Sequence, residues 1–283
     1  MKKSVPVIEG TLLTPRVNII SMDQPWQWLS AGWHDTYRTP VQSLVYGAMF
    51  TVMGFLLVAM IGEKFHLSLA LATGFLLLGP FLVMGIYDLS IRLEKGEPPS
   101  LLHALTAWKG NLMPILLFGL LLGLIMVVWA RLSAVLFALV VGTNVLSVNN
   151  TAEALFFTDS GLVFLLVFVV VGAVLAAAVF TVSVVSIPMM LDRNCDFVTA
   201  VLTSVKAVAV NLGPMILWAG LIVVFTGIGM VTFFLGLAVT LPIIGHATWH
   251  AYRSVVVQEG VSDTNSEEES HRVVDAPPPQ QFY

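Results

Sequence analysis

The chain has 283 residues, of which 57% are hydrophobic and only 11% charged, and its mean hydropathy is +0.90. Soluble domains carry about 25% charged residues, so the composition excludes an ordinary water-soluble enzyme or binding domain. A net charge of −4 argues against a nucleic-acid partner, and the single cysteine, Cys195, excludes an intramolecular disulfide or a cysteine-built metal cluster.

Residues 1–20 show no periodicity and are expected to form a flexible arm, with no signal peptide in evidence. Ser21 to Pro25 reads as a helix start with proline in the first turn. Trp26, Leu29, Trp33 and Tyr37 then recur on one helical face. An aromatic-faced amphipathic helix just before a long apolar run is expected to lie in the headgroup layer. Apolar runs of membrane length follow: Val41–Ile61, Leu67–Tyr87, Leu112–Arg131, Leu162–Met190, Leu212–Thr226 and Ile228–Trp249. They lack the alternation of a barrel, so the fold class predicted is all-α, a polytopic membrane protein with six transmembrane helices. Gly227 and Gly229 are expected near the last hairpin turn. Thr151–Phe157 reads as a short amphipathic helix on the far side. Beyond Arg253 the tail is polar and acidic, and 255–283 is expected to be disordered.

An N-terminus on the cytoplasmic side leaves Lys64 and Arg131 as the only Lys or Arg on the outer side, so both termini are expected to be cytoplasmic.

The chain repeats itself. Asn111-Leu-Met-Pro114 and Asn211-Leu-Gly-Pro214 match in pattern, and Leu29-Ser-Ala31 precedes Pro40 in similar fashion. Each unit reads as an interfacial helix, a proline and a two-helix hairpin, giving repeats of about 21–92, 98–193 and 196–254 within a membrane domain over 21–254. The second helix of each hairpin carries a proline, Pro80, Pro188 or Pro242, expected to kink it. Asp88, Asp196 and His250 lie eight residues beyond these prolines, and Met84, Asp192 and His246 lie four beyond. Three kinked helices would therefore deliver polar groups to one level.

His246 and His250 share a helix face. That spacing suits two ligands of one metal ion, with Asp88 or Asp192 as a third. It equally suits amphipathic anchors at the membrane surface, the role expected for Trp26, Trp33, Trp108, Trp249 and Tyr252. No ionisable residue falls near the middle of a predicted span, which disfavours an ion-coupled transporter. Nucleotide loops, nucleophile elbows and zinc-protease motifs are missing, which disfavours an enzyme.

Arg16-Val-Asn18, the run Asp23–Trp33, Gly79-Pro80, Arg92–Ser100, Pro188–Arg193 and above all Leu241–Arg253 resemble a bacterial integral-membrane family known as domain of unknown function 2189. The resemblance covers about residues 15–255 and implies a six-span inner-membrane protein without a known activity. Some members carry a cytochrome c oxidase subunit I label. That subunit needs histidines deep in the membrane from several helices, whereas here each histidine lies in a tail, an interfacial segment or at a span border. No cofactor is expected, and haem and copper are disfavoured.

The function expected is non-enzymatic: organising or handling lipids, or assisting other membrane proteins. A transporter or channel for a small or apolar solute is the alternative, and a metal-dependent membrane enzyme the second alternative. The bilayer, other membrane proteins or a second copy of the chain are the expected partners.

Overall fold

The computed structural model describes residues 7–11, 14–60, 83–140 and 158–257. Pro80, most of the Leu67–Tyr87 run, Thr151–Phe157 and the tail beyond 257 lie outside the described residues.

Strand β1 (Val7–Ile8) pairs antiparallel with β2 (Val17–Asn18). Helix α1 (Gln24–Arg38) begins with Pro25 in its first turn and ends at Thr39, whose φ of −124° and ψ of 51° are not helical. The following Pro40 disfavours helical geometry at that residue, and the chain bends by 106° into α2 (Pro40–Met60). Helix α3 (83–94) stops at a turn with Gly96 at φ +69°. Next come α4 (Leu101–Thr106), a 3-10 turn (Ala107–Asn111) and the long α5 (Leu112–Val140). Helix α6 (Asp159–Ser183), N-capped by the Thr158 hydroxyl, leads to α7 (Ser186–Arg193). Asn194 closes α7 in the left-handed region, and Asp196 caps α8 (Phe197–Val210). The chain ends with α9 (Leu212–Val231) and α10 (Leu237–Val255).

Among the described residues, three stretches are long and apolar enough to cross a membrane: Leu101–Leu136, Gly161–Arg193 and Leu212–Val231. Helices α1 and α2 make a fourth if they are taken as one bent span. The expected run Val41–Ile61 corresponds closely to α2, whereas α5 and α6 start near the expected residues but end at Val140 and Ser183 and not at Arg131 and Met190.

The last hairpin differs from expectation. Its turn lies at Thr232–Gly236, with Phe233 and Phe234 at φ +53° and +63°, and α10 starts at Leu237 and not at Ile228. Gly229 is a helical contact point. A Cβ there would lie 2.4 Å from Leu237 Cδ2, so the missing side chain lets α9 and α10 close on each other. The turn is made instead by the Thr232 hydroxyl, which accepts from the Gly236 N–H at 2.9 Å.

Helix α10 is the axis of the described fold: 12 of its 19 residues are buried, far more than one apolar stripe would give. Glycines bring its neighbours close. A Cβ on Gly32 of α1 would fall 2.5 Å from the Ile243 carbonyl oxygen, and one on Gly47 of α2 would fall 2.0 Å from that of Ala238. Ala238 is the residue whose carbonyl Pro242 leaves without its helical donor. Gly245 in turn faces Ile86 of α3.

The N-terminal arm is also tied down. Val17 bridges Val256, the Val257 N–H donates to the Arg16 carbonyl at 3.1 Å, and Asn18 Nδ2 donates to the Ser254 carbonyl at 2.8 Å. Both Val17 and Val256 are fully buried. Residues 14–20 thus differ from the flexible arm expected, because their backbone finds hydrogen-bonding partners at the end of α10.

Candidate functional site

The polar groups of the described residues collect around one end of α10 in three clusters. The first joins α3, α7 and α10. Arg253 Nε lies 3.2 Å from Glu94, and Arg253 also approaches Asp192 at 3.8 Å. Trp249 Nε1 donates to Glu94 at 3.0 Å. The Tyr252 hydroxyl donates to Asp192 at 2.5 Å and accepts from Arg193 Nε at 3.1 Å. Trp249 and Tyr252 are therefore core residues, 1% and 0% exposed, rather than the surface anchors expected. Their polar tips find partners inside the protein, which lets the rings be buried whole.

The second cluster surrounds Asp88. His103 Nδ1 lies 2.9 Å from its Oδ2, and Arg92 Nε lies 3.6 Å away, one turn further along the same helix. Arg92 also reaches Glu97 at 2.8 Å.

The third cluster is buried and joins α1, α2, α3 and α10. His246 is fully enclosed, with Nδ1 at 2.7 Å from Ser90 Oγ and Nε2 at 3.0 Å from Ser43 Oγ. The Ser90 hydroxyl donates to Asp35 Oδ2 at 2.8 Å, and His250 Nε2 approaches the same oxygen at 2.9 Å. Asp35 had no place among the sequence candidates. The signal was there, since Trp28, Gly32, Asp35 and Thr39 share the face of α1 opposite Trp26 and Trp33, and all four are buried.

The metal-ligand set read from the sequence is not assembled. His246 and His250 both turn to Asp35, while Asp88 is held by His103 and Asp192 by Tyr252. Among the described residues no group of three or more His, Cys, Asp or Glu is placed to hold a metal ion. Glu94, Asp192 and Arg253, from the ends of α3, α7 and α10, nevertheless meet.

The other candidates divide by exposure. Trp26 and Trp33 are 55% and 60% exposed and point away from the core. Trp108 is partly buried, donates to the Leu105 carbonyl at 3.0 Å and carries Lys109 over its ring. Pro188 sits in α7 just after a break in the helix. There the Ser204 hydroxyl of α8 accepts from the Val185 N–H at 3.2 Å and donates to the Thr181 carbonyl at 2.7 Å. It therefore stands in for one rung of the helical ladder. Pro242 lies inside α10.

Apolar helices of membrane length, bound together at polar ends, define an integral membrane protein. Comparison with known families agrees: residues 68–192 match the model of a family described as predicted integral membrane protein (DUF2189), which bears out the resemblance over that stretch. No curated protein and no solved structure matches the chain.

Proposed function

We propose that the chain is a non-enzymatic protein of a bacterial inner membrane, with six crossing helices in three repeats, that organises the lipids around it through short helices lying in the headgroup layer. One observation carries this reading. Each short helix packs on the hairpin of another unit: α1 on α9 and α10, α4 through Ala104 on Tyr46, Phe50, Ile86 and Leu89, and α8 on α5, α6 and α7. Three units closing on one another in this cyclic order would form a ring of short helices on one face.

The bonds between segment ends support the crossing number. The end of α3 is tied to α10, Asn111 Nδ2 donates to the carbonyls of Met190 and Cys195, and Asn211 Nδ2 donates to that of Asn18. Hairpins that each start and finish on the same side would have an even number of crossings. The distribution of Lys and Arg makes that side cytoplasmic. Trp26, Trp33 and Tyr37, exposed on α1, then face the lipid surface.

The test is depth-resolved quenching of single-tryptophan variants in liposomes. Trp33 should be quenched by lipids labelled at headgroup depth, and Trp26→Ser/Trp33→Ser protein should lose the ordering of headgroup-level lipid seen with the unaltered chain. Quenching of Trp33 by a water-soluble agent as strong as for free tryptophan would reject the reading.

A further inference from the structure

His246 stands where four helices meet, and its two ring nitrogens face opposite ways along one chain of hydroxyls. Nδ1 lies 2.7 Å from Ser90 Oγ of α3, and that hydroxyl is 2.8 Å from Asp35 Oδ2 of α1. Nε2 lies 3.0 Å from Ser43 Oγ of α2, which is 2.9 Å from Thr39 Oγ1 at the corner between α1 and α2. Thr39, Ser43, Ser90 and His246 are all 0% exposed, so their hydrogens are shared among themselves and Asp35.

The direction of the chain follows from its Asp35 end. Burial by itself would raise the Asp35 carboxyl, but hydrogen bonds from His250 and Ser90 outweigh it and hold the group below the ordinary carboxylate range. A carboxylate only accepts, so the single Ser90 hydrogen goes to Asp35 and Ser90 must accept from Nδ1–H. Complete burial disfavours a charged ring, which leaves Nε2 bare. Nε2 then accepts from Ser43, and Ser43 accepts from Thr39. The Asp35 backbone carbonyl, 3.0 Å from the Thr39 hydroxyl, needs no hydrogen from it, because it already accepts the Thr39 N–H at 3.0 Å. Every group is thus partnered with the ring neutral, and each bond polarises the next.

We propose that the charge of Asp35 sets this junction: it orders a one-way chain of hydrogen bonds from the α1–α2 corner through His246 to the carboxylate, and holds His246 as the neutral tautomer with its hydrogen on Nδ1. Asp35 is a positioning residue, acting on the ring through Ser90. The opposite tautomer would need the Ser90 hydrogen for Nδ1. It would leave Ser90 Oγ and the Asp35 carboxylate as two acceptors 2.8 Å apart with no hydrogen between them, a costly arrangement in a buried place. One charge on α1 therefore fixes how α2, α3 and α10 are joined to it, at the level where Gly32 and Gly245 bring α1 and α3 close to α10.

The test is nitrogen NMR of the full-length chain at neutral pH, labelled at its six histidines and held in lipid nanodiscs. His246→Gln identifies the ring by the signals it removes. Nδ1 of His246 should show a one-bond coupling to hydrogen, and Nε2 none. Ser43→Ala should leave that pattern in place, because Ser90 and Asp35 still require Nδ1–H. Asp35→Ala frees the Ser90 hydrogen for Nδ1, so the coupling should pass to Nε2, with the chain then running through Ser43 and Thr39 to the backbone carbonyl of residue 35. A hydrogen on Nε2 in the unaltered chain, alone or together with one on Nδ1, overturns the proposal. So does a coupling that moves in Ser43→Ala or stays on Nδ1 in Asp35→Ala.

Discussion

Single residues show how far local chemistry departs from composition. Cys195 is the one thiol of the chain and lies in the link between α7 and α8, outside the long apolar stretches. Burial first, and then the neighbouring Asp196 carboxylate, push its thiol up to about 11. The thiolate is the reactive form, so Cys195 should alkylate roughly 100-fold more slowly than an ordinary cysteine near neutral pH. The rate should rise about tenfold per pH unit until the pH nears 11. Stopped labelling followed by mass spectrometry across a pH series would measure this, and a plateau reached below pH 9 would contradict it. Asp35 makes the opposite point. Its place on the face of Trp28 and Gly32 marks it as turned inward, but its role arises from Ser90 and His250, distant in the chain.

At the scale of elements, prolines and glycines were legible as punctuation but their partners were not. Pro40 ends α1 as expected, because it disfavours a helical conformation at its predecessor. The break between α6 and α7 is a different matter, since Pro188 marks its neighbourhood while Ser204, from the next helix, fills the interrupted ladder. Ser204→Ala should leave the Val185 N–H and the Thr181 carbonyl without partners in a buried place, at a cost of about 1–3 kcal/mol. Thermal unfolding in detergent should show a clear fall in midpoint, larger than for Ser254→Ala, whose hydroxyl only folds back on the Ala251 carbonyl of its own helix. Equal midpoints for the two variants would show that the Ser204 hydroxyl does not support the break. Gly47 illustrates the same principle through backbone contact: the carbonyl freed by Pro242 lies where any side chain at 47 would stand.

Across the whole molecule, the polar ties between segment ends group residues 14–20, 88–111, 190–211 and 252–257 on one face. With Cys195→Ser as background, Glu97→Cys and Gly110→Cys should react with a membrane-impermeant reagent from the same side of oriented vesicles. Phe233→Cys, in the exposed turn between α9 and α10, should react from the other side. Labelling of positions 97 and 233 from the same side would exclude α9 as a crossing helix.

The sequence by itself determined that the chain is helical and membrane-bound, and it placed the starts of α2, α5, α6 and α9 to within about three residues. Those properties follow from runs of apolar side chains, which act locally through the cost of exposing backbone and side chains to the wrong solvent. Tertiary structure alone decided the role of the helix ends. Hydrogen bonds between groups far apart in the chain have no periodicity to announce them, so GHATWHAY looked like a surface motif with two paired histidines. Packed against α1, α2 and α3, it became the buried axis, and its first histidine acquired three hydroxyls and a carboxylate that no local reading could supply.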